Sequence, residues 1–160
     1  MGIKLRRIPP RLTAGAYILN SGLSKRGLDD EAYAGMQEMG ARAIPQLAQM
    51  SPRDFGKLLS AGEIGLGAAL LLPIVPSWLA GAGLAGFGAA LMKMYHKSPG
   101  MTQDGIRPTP EGTGYAKDIW LVGIGLGLLL DHIGSGGKRA MGKGKKGMML
   151  AKKGMMTRKK

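Results

Sequence analysis

The chain has 160 residues, a formal net charge of +13 and no cysteine, with 44% hydrophobic and 5% aromatic residues. This size allows one domain plus a tail, and the absence of cysteine excludes disulfides, thiol catalysis, iron–sulfur clusters and covalent c-type haem. So much positive charge beside so much apolar sequence requires the cations to be kept apart from the apolar stretches, and they are.

Met1 to Arg11 carries four cations and no acid. Pro9-Pro10 suits a helix start, where the missing N–H costs nothing. Leu12 to Leu23 then predicts a short apolar span, about 20 Å when counted from Pro10, which reaches across a bilayer if flanking Arg and Lys snorkel. Asp29 to Lys57 is polar and balanced in charge. Within it Ala32, Met36, Met39 and Ala43 recur at helical spacing, which predicts a short surface helix whose methionine stripe reads as packing. Ser51-Pro52-Arg53-Asp54 is a capping box that fixes the start of a second span.

From Leu58 to Met92 the one ionisable residue is Glu63. A single helix of that length would run to about 50 Å, against a hydrocarbon core of about 30 Å. Pro73 and Pro76 bracket Ile74-Val75 at its middle, which predicts two helices joined by a tight turn, with Ser77 capping the second. A hairpin inside a soluble domain would need a polar face on such helices, and neither has one. Lys93 to Lys117 is rich in Pro and Gly and reads as a long loop. Asp118 to Ile133 is the last span, opened by Asp118 at the favourable positive end of the helix dipole.

The expected fold is therefore an all-α membrane protein. Residues 1–137 form a four-helix bundle with spans at about 9–24, 53–73, 77–94 and 117–133 and a surface helix between the first two. Residues 138–160 form a basic tail with ten Lys or Arg and no acid. Four spans place the N-terminus, the Pro73–Pro76 turn and the tail on one side. The cation excess makes that side the cytoplasm of a bacterial plasma membrane. Trp78 then belongs at the inner interface, and Tyr95, Tyr115 and Trp120 at the outer one.

Glu63 is the strongest functional candidate, because an intramembrane carboxyl is expensive and must be paired or protonated. The first span brings Asn20, Ser21 and Lys25 to the same depth. The set reads first as a polar contact that pins the bundle, with a proton or quinol-headgroup contact as the alternative. Small residues recur at four-residue spacing: Ala82, Gly86 and Ala90, with Ala61, Gly65 and Ala69 on the second span and Gly123 and Gly127 on the fourth. They predict close helix packing. Gly81 to Gly86 matches the dinucleotide pattern GxGxxG, but no strand precedes it, so packing is the better reading. His96 and His132 fall on opposite sides of this topology and cannot share a haem or metal. No cofactor is expected, and the sequence identifies no small-molecule substrate. In the tail, KKGMM occurs twice, giving Lys145, Lys146, Met148 and Met149, then Lys152, Lys153, Met155 and Met156. The cations suit anionic lipid, and the paired methionines suit a groove on an acidic protein face. No aromatic residue interrupts the run, so nucleic acid is not expected.

Arg11-Leu12 followed by Gly15, Gly22 and Lys25, then Gly62-Glu63 with Gly65 and Leu66, resembles the DoxX-like family of four-helix bacterial membrane proteins over about residues 8–133. The resemblance implies a small membrane subunit, in some members linked to quinone-dependent sulfur oxidation. Similar small proteins are accessory subunits of the bacterial cytochrome bcc–oxidase supercomplex. It therefore implies a non-catalytic accessory subunit of a larger respiratory complex, or alternatively the membrane half of a quinone-linked oxidoreductase with Glu63 in contact with proton or quinol.

Overall fold

The computed structural model describes residues 4–134, which fold as helices joined by turns, with no strand among them. The tail positions, Lys145, Lys146, Met148, Met149, Lys152, Lys153, Met155 and Met156, lie outside the described residues. After a 3-10 turn at Leu5–Arg7 come α1 (Ile8–Ser24), α2 (Asp30–Ala43), a second 3-10 turn (Pro45–Gln49), α3 (Pro52–Leu71) and α4 (Ser77–Lys97). The short α5 (Thr113–Ala116) leads into α6, which occupies residues 119–134. The all-α expectation holds.

Local chemistry sets the boundaries. Pro9 and Pro10 lie in the first turn of α1, where no backbone donor is lost. Ser51 Oγ accepts from the Asp54 amide at 3.1 Å, which caps α3, and donates to Asp54 Oδ2 at 2.7 Å, so the box's side chains pair with each other. Asp29 caps α2 in the same way by accepting from the Ala32 amide at 2.8 Å. Gly27, with φ of +83°, makes the turn out of α1 that a side chain would resist. Ser77 departs from expectation. It caps nothing, Pro76 occupies the N-cap position of α4, and the Ser77 hydroxyl accepts a bond from Arg11 at 3.0 Å.

The bundle is two antiparallel pairs, each closed by glycine. A β-carbon at Gly15 would meet Leu70 and Leu71, one at Gly22 would meet the backbone of Ile64, and one at Gly67 would press on Leu19; α1 and α3 therefore run nearly in contact. Gly81, Gly88 and Gly125 do the same for α4 and α6, where Gly125 faces the Ala85 amide and the Gly81 carbonyl. Such approach is what small residues give helix pairs in place of large side-chain contacts. Ile18, Leu70, Leu84 and Leu128 fill the core between the pairs.

The small-residue rows expected from sequence are out of register with this packing. Gly65, Gly86, Gly123 and Gly127 have nothing within 4 Å of a β-carbon position. Ala82 is exposed, and Ala69 and Ala90 are only half-buried. The helices α3, α4 and α6 each carry glycine in two frames, and the frame turned inward is the one flanked by the buried Leu70, Leu84 and Leu128.

No helix among the described residues is long and apolar enough to cross a membrane. The physical reason differs by helix: α1 has only 17 residues, α3 carries Arg53, Asp54, Lys57 and Glu63, and the glycines of α4 add length without adding apolar surface. The segment after α4 is more ordered than a breaker-rich loop. Asp104 Oδ1 accepts from the amides of Arg107 at 2.7 Å and Ile106 at 3.1 Å, while Arg107 Nε donates to Oδ2 at 2.7 Å. The Arg107 amide first, then its guanidinium and the Ile106 amide, hold the Asp104 carboxyl below its ordinary range. Tyr95 is buried beneath this loop and donates to the Ile106 carbonyl at 3.2 Å, so it does not join an exposed aromatic belt, whereas Trp120 is 71% exposed.

Candidate functional site

Two polar centres lie inside the bundle, one near each end. The first is Arg11, the cation that follows Pro9-Pro10 in α1. Its side chain enters where α3 ends, at carbonyls that no longer have a helical partner. Nε donates to Leu70 O at 2.7 Å, and one terminal nitrogen donates to Ala69 O at 2.8 Å and Leu72 O at 2.7 Å. The other terminal nitrogen donates to Val75 O at 2.9 Å and Ser77 Oγ at 3.0 Å. Five donors meet five acceptors, so the guanidinium is saturated. It is a cation at the negative end of the α3 dipole, and it fixes the Pro73–Pro76 turn to α1. Nearby, Arg6 and Arg7 both pair with Asp131 of α6. Asp131 therefore belongs to an ion cluster, and the ring of the neighbouring His132 packs at 6.3 Å from that of Trp78.

The second centre is Glu63, which is 4% exposed on the inner face of α3. Lys25, just past the end of α1, reaches it with Nζ at 2.8 and 3.1 Å from the two carboxylate oxygens. The same ammonium donates to Ser21 Oγ at 2.6 Å, and Lys25's own carbonyl accepts from the Tyr33 hydroxyl at 2.8 Å. Ser60, one turn before Glu63, donates to Gly22 O at 2.7 Å and adds a further tie between α1 and α3. Ser21 and Lys25 therefore meet Glu63 as their depth in the first helix requires. Asn20 does not: it is exposed on the other side of α1.

Glu63 and Lys25 line a cavity of about 860 Å³ bounded by α1, α2, α3, α4 and the start of α6. Ala32, Met36, Met39 and Ala43, the stripe read as packing, all face it. Gln37 holds α2 in place by donating to the carbonyls of Leu47 at 2.8 Å and Met50 at 2.6 Å. The Tyr33 ring lies over Gly56, where a β-carbon would overlap it. Asp118 and Tyr115 close the cavity from the α6 side.

No family model, curated protein or solved structure matches the chain. What the site can do rests on its own chemistry. Among the described residues no cluster of His, Asp and Glu is arranged to hold a metal ion. His96 stands at the far end of α4 from Trp78, and so from His132. The 18 positions between Trp78 and His96 amount to about 27 Å of helix at 1.5 Å per residue.

Sequence reasoning missed Arg11 and Asp118 as site residues. Arg11 carries a signal in the sequence, a lone cation inside an apolar helix that has to find acceptors. Asp118 reads as a helix-start residue from sequence, and only the packing of the bundle shows that it lines the same cavity as Glu63.

Proposed function

We propose that the chain is a bacterial membrane protein of the DoxX-like kind and serves as a non-catalytic accessory subunit of a larger membrane complex, most simply the respiratory cytochrome bcc–oxidase supercomplex. The supporting observation is where polar and apolar groups stand. Arg11, Ser60, Glu63 and Ser77 are buried, while Leu12, Leu79, Trp120 and Leu130 are 51 to 71% exposed on the helices that surround them. Exposed apolar surface on this scale is the mark of a face covered by lipid or by another protein. A helix alone in a bilayer must be apolar all round. A helix in a bundle needs to be apolar only on its outer side, provided its inner polar groups are paired. The short α1 and the glycine-diluted α4 are compatible with a bilayer on those terms, and a larger complex would cover what they leave exposed.

The test begins with native membranes washed in alkaline carbonate, then solubilised in mild detergent. The chain should stay in the washed membrane and migrate with subunits of the respiratory complex identified by mass spectrometry. Release by carbonate would overturn the membrane assignment, and a monomer in every mild detergent would overturn the accessory role.

A second reading, the membrane half of a quinone-linked oxidoreductase, draws on the opening of the cavity onto Glu63. On that reading Glu63→Gln abolishes turnover with the bundle intact. The accessory reading has turnover unchanged.

A further inference from the structure

The cavity beside Glu63 carries unbalanced charge. Its described lining includes one cation, Lys25, and two carboxylates, Glu63 and Asp118. Lys25 is committed, since its ammonium already serves both Glu63 oxygens and Ser21. Asp118 is half-buried, and its carboxylate makes no side-chain hydrogen bond and no ion pair among the described residues. It lines the same cavity as Glu63 and Lys25. A carboxylate facing an apolar wall without a partner is a costly arrangement that a cation relieves.

The rest of the lining specifies what sort of cation. The walls are Met36, Met39, Met94, Phe55, Phe87 and Tyr115, with no cage of oxygen donors such as a hard metal ion requires. Thioethers and aromatic faces instead suit a diffuse positive charge on an apolar body. The volume, about 860 Å³, fits a molecule of drug size. An anionic amphiphile would bring a third negative charge into the same space.

We propose that this cavity binds a monovalent organic cation with an apolar body, of the quaternary ammonium or phosphonium class. Its charge is held by Asp118 and the field of Glu63, and its body lies on the methionine stripe of α2. This goes beyond the accessory role and does not depend on it, since binding is read on the purified chain.

The experiment uses the full chain in mild detergent, titrated calorimetrically with tetraphenylphosphonium and, separately, with tetraphenylborate, an anion of the same shape. The phosphonium should bind saturably and the borate should not. Asp118→Asn, nearly the same size, should weaken phosphonium binding by about tenfold or more, the scale of one charge-assisted contact. Glu111→Gln, which removes the same charge at an exposed position, should leave it unchanged. Gly62→Leu supplies a second line. Gly62 lines the cavity with nothing within 4 Å of its β-carbon position, and leucine favours the helix there, so the variant should fold and block the site. Saturable binding of the borate as tight as that of the phosphonium overturns the proposal. So does undiminished phosphonium binding in Asp118→Asn or Gly62→Leu, or no phosphonium binding by the parent chain.

Discussion

Replacing Arg11 by methionine should destabilise the bundle by about 4 kcal/mol, although the residue touches no other charged group in its site. Methionine keeps the aliphatic stem and removes all five donors. Two of the acceptors are then stranded: Leu70 is 0% exposed and Ser77 is 8% exposed. A buried acceptor left without a partner costs about 1–3 kcal/mol, so these two together amount to roughly 2–6 kcal/mol. Leu72 is 47% exposed and, like the half-buried Val75 and Ala69, recovers hydrogen bonds from water, which keeps the figure near the middle of that range. Arg11→Lys keeps the charge at the end of α3 but offers three donors in place of five, and should lose about half as much. Equilibrium unfolding in mixed micelles, followed by helical circular dichroism, measures both. If Arg11→Met lies within about 1 kcal/mol of the parent, the guanidinium does not staple the turn and the reasoning is wrong.

The Lys25–Glu63 pair yields a coupling prediction. Glu63→Leu leaves a committed ammonium without its carboxylate and should cost about 3 kcal/mol, the low end for a broken buried pair because the Lys25 side chain is 19% exposed. Glu63→Gln should lose less, since the amide oxygen still accepts from Lys25. The double variant with Lys25→Met should recover much of the loss, and strict additivity in that cycle would refute the pairing. The glycine register is tested by a matched pair of substitutions. Gly67→Leu drives a side chain into the α1 backbone at Leu19 and should unfold or splay α1 from α3, while Gly65→Leu, pointing into open space, should leave the melting temperature close to that of the parent. Equal effects at the two positions would sink the packing scheme.

The helices were legible because their signals are local. Pro9-Pro10, the Ser51–Asp54 box and the Pro73–Pro76 turn act on the backbone within a few residues of themselves, and each marks a boundary in the structure. Glu63 stood out for the same reason, as one acid in a long apolar run. Its pairing with Lys25, which Ser21 also holds, followed from depth alone, because two antiparallel helices leave few groups at one level. What stayed hidden depends on rotation about the helix axis. Asn20 and Ser21 are adjacent in sequence and about 100° apart around α1, so depth cannot tell which of them meets Glu63. The glycine frames fail for the same reason. Gly65 and Gly67 lie on one helix at nearly one depth, yet only Gly67 faces α1. The loop from Ser98 onward also escaped, because breaker residues announce a turn but not that Asp104 gathers two amides and a guanidinium into one.

The two polar centres differ in a way that bears on where a ligand can act. At the Arg11 end all five guanidinium donors have acceptors inside the chain, and Asp131 on α6 is paired with Arg6 and Arg7. A cavity of about 750 Å³ lies there too, but the Arg11 guanidinium that lines it has all five donors engaged. At the Glu63 end the pair with Lys25 is complete, but Asp118 remains over, and the space next to it is apolar and open. A guest there displaces nothing and supplies the missing charge. The saturated centre holds the bundle, and the Glu63 end is the one that leaves a carboxylate over for the proposed cation.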